Sequence, residues 1–368
     1  MNVLNHLLSE CIRDVDLLRP YLNVSSLDAE RIREIAERYP ICIPPYYLNL
    51  IDRDDPMDPI RRICIPGLKE LSGTGHEDQS GEGSNTVLKG MQHKYRQTAL
   101  VLTTNQCSMY CRFCFRKRMV GFSQDEMASQ IPEMVRYVSQ HPEINNVLLS
   151  GGDALINSNE LIEEYLDAFS AIPSLDFIRI GTRSPAVLPM RIYEDPELLA
   201  VLKRYCARKQ ILIVTHFNHP REITEQSVRA VRALMECGAS VRNQTVLLKG
   251  VNDDPRTLSQ LMNRLTAYGV IPYYVFQCRP ARGAVDEFQI PLRRASAVVE
   301  EAKTLMNGQA KSFHYCMSHH TGKIEILGSL ENGRMLFRYH QAKHREDDSR
   351  IFTSRIADDQ CWLQDSPA

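Results

Sequence analysis

Residues 99–118 read Ala99-Leu-Val-Leu-Thr-Thr-Asn-Gln-Cys107-Ser-Met-Tyr-Cys111-Arg-Phe-Cys114-Phe-Arg-Lys-Arg118. The apolar run 99–103 reads as a short strand, and three cysteines follow it directly in a C-x3-C-x2-C spacing. Thiolates this close in sequence can converge on one metal centre, and they select zinc, copper(I) or iron–sulfur. A structural zinc site prefers four protein ligands, and no fourth stands nearby. A [4Fe–4S] cluster on Cys107, Cys111 and Cys114 leaves one iron without a protein ligand, open to a chelating small molecule. The loop also follows a strand, and the C-terminal ends of parallel strands are where α/β active sites gather.

Outward from this loop the chain alternates. Short apolar runs at 146–149, 177–180, 211–215, 240–246 and 273–276 read as further strands. Amphipathic stretches at 124–140, 159–172, 196–209, 224–237 and 255–268 lie between them and read as helices. Strands apolar throughout, alternating with helices, indicate a parallel sheet covered by helices. Counting the first, there are six such units, short of the eight in a closed barrel. The expected fold is α/β, a partial (β/α)6 barrel of the TIM type over 87–310. It is preceded by a helical and irregular segment with a linker (1–86) and followed by a C-terminal extension (311–368). In the first segment a helix is expected from Leu27 with Ser26 as its N-cap. Residues 71–86, rich in Gly, Ser and acids, read as a loop. The last stretch, 346–368, is polar and is expected on the surface.

The composition narrows the function. In 368 residues there are 44 Lys plus Arg and 45 Asp plus Glu, a net charge of −1, which argues against binding nucleic acid by charge alone. Hydrophobic residues at 43% and charged residues at 24% are ordinary for a globular chain. No apolar stretch approaches the length of a membrane span, and the N-terminus lacks the basic region of a signal peptide. The cysteines number 11, an odd count that does not suit a secreted disulfide framework. Reduced thiols and a cytoplasmic location are the expectation, with Cys11, Cys42, Cys64, Cys206, Cys237 and Cys361 as small buried hydrophobes.

The C-x3-C-x2-C loop resembles the signature of the radical S-adenosylmethionine (SAM) superfamily. The run 107–114, Ser150-Gly-Gly-Asp-Ala-Leu155, Arg179-Ile-Gly-Thr-Arg-Ser-Pro185, Thr215-His-Phe-Asn-His-Pro220, 243–253 and Pro272-Tyr-Tyr-Val-Phe-Gln-Cys278 together resemble the lysine 2,3-aminomutase family. The resemblance implies that SAM chelates the open iron and is cleaved reductively to a 5′-deoxyadenosyl radical. It implies SAM contacts at Gly151, Gly152, Asp153, His216, Asn218 and Gln244. Independently, glycines after a strand let a ligand approach the backbone. His216 and Gln244 could also be ordinary polar caps at strand ends. Arg116 matches the family residue that grips the substrate α-carboxylate, a task suited to an Arg fork. Arg112, Lys117 and Arg118 are nearby alternatives.

The family also uses pyridoxal 5′-phosphate (PLP), held as a Schiff base by a lysine. The matching residue is Lys323, in Ser318-His-His-Thr-Gly-Lys323, although the family's glycine run before it is altered. Read without the resemblance, Lys323 is a solvated lysine in a hairpin turn. Lys94 and Tyr95 lie where the family has PLP contacts, and Thr98 replaces an arginine there. Two aspartates that bind the lysine ammonium in the family correspond to Arg279 and Cys316 here. An arginine repels an ammonium, by roughly 4 kcal/mol at contact for an effective dielectric of about 20. The substrate expected is therefore an acidic or neutral amino acid, glutamate first, unless Arg279 turns to solvent. Asp254 and the lone Cys361 replace the family's zinc-binding cysteines, so no structural zinc is expected. The implied partners are a flavodoxin- or ferredoxin-type electron donor and a second copy of the chain. The competing reading is a PLP-free radical SAM enzyme abstracting hydrogen from a different small substrate: an epimerase, dehydrogenase or tailoring enzyme.

Overall fold

The computed structural model describes residues 2–23, 25–122 and 125–364. Its strands are β1 (Thr86–Leu88), β2 (Met91–Tyr95), β3 (Thr98–Thr104), β4 (Asn146–Gly151), β5 (Phe177–Gly181), β6 (Gln210–Thr215), β7 (Ser240–Leu247), β8 (Ile271–Gln277), β9 (His314–His319), β10 (Gly322–Ser329), β11 (Arg334–Ala342) and β12 (Ile351–Arg355). They form one sheet in sequential order. Pairing is parallel from β3 through β9 and antiparallel on both flanks. The sheet is the expected partial barrel, and its parallel run continues past the six anticipated strands into β9. That strand was not anticipated; His314-Tyr-Cys-Met-Ser-His319 mixes polar and apolar residues, as does the run 240–246 that became β7.

The two faces of the barrel strands differ in a regular way. Val147 and Leu149, Ile178 and Ile180, and Ile211 and Ile213 are fully buried under the outer helices. Their alternates, such as Leu148, Ser150, Arg179, Gly181, Arg242 and Gln244, are only partly covered. Side chains alternate across a strand, so the second set lines the lumen and is free to carry polar groups. The outer helices start at side-chain caps. Ser158 accepts from Leu161 N (3.2 Å), Thr224 from Ser227 N (3.1 Å) and Asp254 from Thr257 N (2.8 Å). Four of them, Asn159–Ser170, Pro196–Cys206, Glu225–Glu236 and Pro255–Ala267, fall within the stretches read from periodicity. The first expected helix is shorter, Ile131–Gln140, with Pro132 in its first turn.

Two expectations for the flanks change. The N-terminal helix Ser26–Arg38 is capped by Ser25, whose hydroxyl accepts from Asp28 N at 3.1 Å, so Ser26 is its first residue rather than its cap. The acidic loop 71–86 is not a solvated linker. His76 bridges Ala281, and Ser80, Glu82 and Asn85 are buried against the barrel mouth. An acid in that place is stable because several arginines face it, a partnership that local composition cannot reveal. The tail lies on the surface as expected, with only Ile356 and Leu363 buried among its described residues, and it is tied to the barrel through β12 and through Gln277 Nε2, which donates to the Cys361 carbonyl (3.0 Å). No helix among the described residues is long and apolar enough to cross a membrane.

Candidate active site

A cavity of about 240 Å³ opens at the C-terminal ends of the parallel strands. Its wall includes Cys107, Cys111 and Cys114 on one side, with Gly151, Gly152, Asp153, Arg183, His216, Gln244, Arg116 and Arg279 around them. The cysteine loop is held from below by the N-terminal segment. Tyr110 N donates to the Cys42 carbonyl (3.0 Å) and Arg112 N to the Ile63 carbonyl (2.8 Å). Cys42 Sγ donates to the Ser108 carbonyl (3.3 Å). Cys11, Cys42, Cys64 and Cys237 are buried, while Cys206 and Cys361 are only partly so.

Gly151 and Gly152 do line the cavity, but their missing side chains serve a different need from the one expected. A Cβ on Gly151 would overlap the Thr104 carbonyl oxygen, and one on Gly152 the Gln106 carbonyl oxygen. The two glycines let the β4 turn press against the cysteine loop. Gly152 N donates to Thr104 O (2.5 Å) and Asp153 N to Gln106 O (2.8 Å). Gly151 also has φ +120°, a conformation that side chains disfavour. The Asp153 carboxylate is occupied within the protein, accepting from Arg183 N (2.8 Å), Ser184 Oγ (3.1 Å) and Leu155 N (3.0 Å). Its task is to join loops.

Arg183, which the sequence motif contains but which was not singled out, is the hub of this wall. Its Nη1 donates to Cys111 Sγ (2.6 Å), its Nη2 to Glu222 Oε1 (2.6 Å) and Tyr47 Oη (3.3 Å), and its Nε to the His216 carbonyl (3.2 Å). Glu222 also receives Asn218 N (2.5 Å) and His219 N (2.9 Å). Burial, helped by the Arg183 charge, pushes the His216 imidazolium down to about 3, so the ring is neutral at pH 7. Asn218 is fully buried and off the cavity wall. Its Oδ1 accepts from Val246 N (2.9 Å) and contacts His216 Nε2 (3.1 Å), so it orients His216, while its Nδ2 is buried without a protein partner. A guanidinium fixed on a thiol sulfur beside a neutral imidazole suits sulfurs that carry negative charge. This donor set therefore fits an iron–sulfur cluster on Cys107, Cys111 and Cys114.

The opposite wall is dominated by cations. Arg116 donates from Nε (2.9 Å) and Nη2 (2.7 Å) to Glu82 Oε1, and from Nη1 to the Gly151 carbonyl (3.2 Å). Burial alone would raise the Glu82 carboxyl, but Arg116, with Arg279 and Arg118, outweighs it and holds the group down to about 2. The edge of Arg116 expected to grip a substrate carboxylate is thus already on Glu82. The alternatives are engaged as well: Arg112 and Lys117 both pair with buried Glu70, and Arg118 pairs with Glu82 and Glu126. Arg279 does not turn to solvent. Its guanidinium lies 3.8 Å from the Phe115 ring centroid and donates to Ser80 Oγ. Desolvation lowers it to about 10, so it stays charged at neutral pH. Cys316 is fully buried on β9, opposite Glu325, and is absent from the cavity wall.

Lys323 is buried on β10, not solvated in a turn. Its amine sits 4.1 Å from the Tyr274 ring centroid, with Tyr95 at 5.7 Å and Phe276 at 5.8 Å, and donates to Gln341 Oε1 (3.2 Å). Phe276 also lines the cavity, whereas Lys323 and Tyr95 are not among its lining residues. Desolvation lowers the Lys323 ammonium to about 7, and that of Lys94 likewise to about 7. Lys94 Nζ donates to the His319 carbonyl (2.5 Å). Thr98 receives Arg179 Nη2 (3.5 Å), and the Arg179 Nε is buried without a protein partner. A lysine amine that is about half uncharged at pH 7, beside an arginine with an unused donor, fits a phosphate-bearing aldehyde cofactor. Arg179 reaches the place where Thr98 lacks the expected guanidinium.

A strand-end cavity walled by three loop cysteines defines the radical SAM class, and residues 101–261 match the model of the Radical SAM superfamily. The chain is 40% identical over 340 residues to a putative L-lysine 2,3-aminomutase of Aquifex aeolicus, covering 92% of this chain and 90% of that one. It is 39% identical over 292 residues to the L-lysine 2,3-aminomutase of Clostridium subterminale, covering 78% and 69%. It is 37% identical over 306 residues to a glutamate 2,3-aminomutase of Clostridioides difficile, covering 82% and 71%. The chain belongs to the lysine 2,3-aminomutase family of radical SAM enzymes, and is an isomerase whose family cofactors are a [4Fe–4S] cluster, SAM and PLP.

Proposed function

We propose that this enzyme is a 2,3-aminomutase for an acidic amino acid, glutamate first, and that free lysine is a poor substrate. The observation that carries the reading is Arg279 on the cavity wall, fixed over Phe115 and charged at neutral pH. A desolvated ammonium beside it would be repelled by several kcal/mol, while a side-chain carboxylate would be drawn to it. A relative that carries the name glutamate 2,3-aminomutase supports this choice.

In this reading Cys107, Cys111 and Cys114 hold the cluster, and His216, Gln244 and the 150–153 turn cradle SAM against it. Lys323 holds PLP, with Lys94, Tyr95 and Arg179 around it. When bound, these groups supply a hydrogen-abstracting radical and an electron-accepting carbonyl. The chain's own part is to position and exclude. With its ammonium lowered to about 7, about half of Lys323 is the nucleophilic free amine at pH 7, against roughly a thousandth for an ordinary lysine. Arg116, steadied by Glu82, Ser150 and the Gly151 carbonyl, presents its charge and one remaining Nη2–H to the substrate α-carboxylate. The segment 71–86 and the C-terminal strands close the mouth and keep a carbon radical from solvent hydrogen donors.

Anaerobic protein with reconstituted cluster, SAM and PLP should convert glutamate to its β-amino isomer and leave lysine nearly untouched. Robust β-lysine formation without glutamate turnover would overturn the substrate assignment. Borohydride reduction followed by peptide mass analysis should find a phosphopyridoxyl group on Lys323. Because Lys323 is not among the residues lining the cavity, the PLP-free reading keeps a specific observation in its favour. SAM cleavage with no adduct would establish that reading instead.

A further inference from the structure

At the base of the lumen, away from the cysteine loop, His314, Glu325 and His340 bring one ligand atom each to within 4.8 Å of one another. They come from three adjacent strands. Glu325 on β10 is the register partner of Cys316 on β9 and of Arg338 on β11, and His314 and His340 each lie two residues along from those partners. Alternation turns His314 and Glu325 to one face, and a register irregularity in β11, where His340 has no partner between those of Ile324 and Lys323, brings His340 to the same face. His314 Nδ1 is 2.8 Å from Glu325 Oε1, and the His314 and His340 rings lie 4.6 Å apart.

We propose that His314, Glu325 and His340 form a binding site for a divalent zinc-like ion that clamps β9, β10 and β11 together. The expectation of no structural zinc rested on missing cysteines alone, and this donor set is a different one. Two imidazoles and a carboxylate suit zinc, with water in the fourth position. Water has access, because the His314 side chain is 36% exposed. The outer partners that orient metal ligands are present as well. Arg338 holds the other carboxylate oxygen, Glu325 Oε2 (2.5 Å from Nη2), and leaves Oε1 toward the imidazoles. The Tyr274 hydroxyl contacts His340 Nε2 (2.8 Å) and fixes that ring.

A simple ion pair accounts for less. Glu325 and Arg338 already complete one, and neither explains why two imidazoles converge on the same carboxylate. Two cations border the group, Arg338 and Lys323, so affinity must come from the three ligand bonds and not from net negative charge. The clamp would fix the strand that carries Lys323, two residues before Glu325.

The test uses the cluster-loaded protein, dialysed against micromolar zinc and then against zinc-free buffer under anaerobic conditions. Wild type should retain about one zinc per chain in addition to its iron. X-ray absorption at the zinc edge should show nitrogen and oxygen near 2.0 Å with imidazole scattering, and no sulfur near 2.3 Å. The double substitution His314→Gln with His340→Gln should lower retained zinc at least tenfold and leave iron unchanged. No retained zinc in the wild type, or a sulfur shell, would overturn the proposal. So would equal retention by a folded double variant. If that variant does not fold, the wild-type absorption spectrum decides by itself.

Discussion

The two walls of the cavity solve opposite electrostatic problems. On the cysteine side every charge is matched inside the protein: Arg183 with Glu222 and Cys111, and Arg112 and Lys117 with Glu70. On the opposite side cations outnumber acids. Arg279 and Lys323 depress Lys94, and Arg179 and Arg279 depress Lys323, beyond what burial does, while Glu82 is an acid that faces Lys94 and Arg279. A balanced wall is finished before any substrate arrives. A wall with surplus positive charge is completed by anions, and a phosphate and one or two carboxylates are what the proposed reaction brings. The contrast teaches where specificity resides: the cysteine wall prepares the radical, and the cationic wall chooses what it acts on.

The sharpest way to break this contrast is at the cluster. Cys111→Ala should lower iron retention by more than about a hundredfold, beyond the 10- to 100-fold typical of losing an outer partner, and abolish SAM cleavage. Iron and SAM assays check this. On the cationic wall Arg279→Gln should lower kcat/KM for glutamate by about a hundredfold while cluster content and SAM binding stay unchanged. Steady-state kinetics on glutamate and lysine measure it, and an equal loss for both substrates would deny Arg279 a part in selection.

A smaller effect separates matched from unmatched charge. Arg183→Met removes a hydrogen bond and a positive charge from the Cys111 sulfur, and both favour the reduced cluster. The reduction potential should fall by about 59 mV, a tenfold change in a one-electron equilibrium. A potentiometric titration followed by electron paramagnetic resonance reads it directly. The smallest effect is in acid. The Glu82 carboxyl takes its proton near 4.5 when unfolded and only near 2 when folded, so its pairing with Arg116 stabilises the protein above about pH 4.5. That contribution should fade as pH falls from there toward 2. The stability gap between wild type and Glu82→Gln, measured by denaturant unfolding, should close over the same range.

Much of the barrel was legible because periodicity is a local property. The runs at 146–149, 177–180 and 211–215 each sit inside a strand, and four of the five helices lie where amphipathic spacing put them. β9 escaped because polar residues, His314, Ser318 and His319, hold half of its six positions. The cysteine loop was legible too, since spacing after a strand is written in one short segment. Glu82 and Arg183 were not. The first sits in a stretch whose composition reads as linker, and the second in a motif quoted whole, with nothing local to single out its guanidinium. Asp153, Asn218 and Cys316 were named for contact with a ligand; Asp153 lines the cavity while also bonding three groups of the protein, and Asn218 and Cys316 are buried off its wall.

The amino-acid order alone determined the alternation of strands and helices and the cysteine spacing, because each is a pattern within a few neighbouring residues; that Arg279 stands where the family has an acid follows only from the resemblance. Only the tertiary structure decided which charges meet. Glu82 and Arg116 are 34 positions apart, Arg183 and Cys111 are 72 apart, and Lys94 and the His319 carbonyl are 225 apart. Burial makes those meetings consequential: in a site with little water, a buried charge must find a partner or shift its protonation, and only the fold says which of the two occurs.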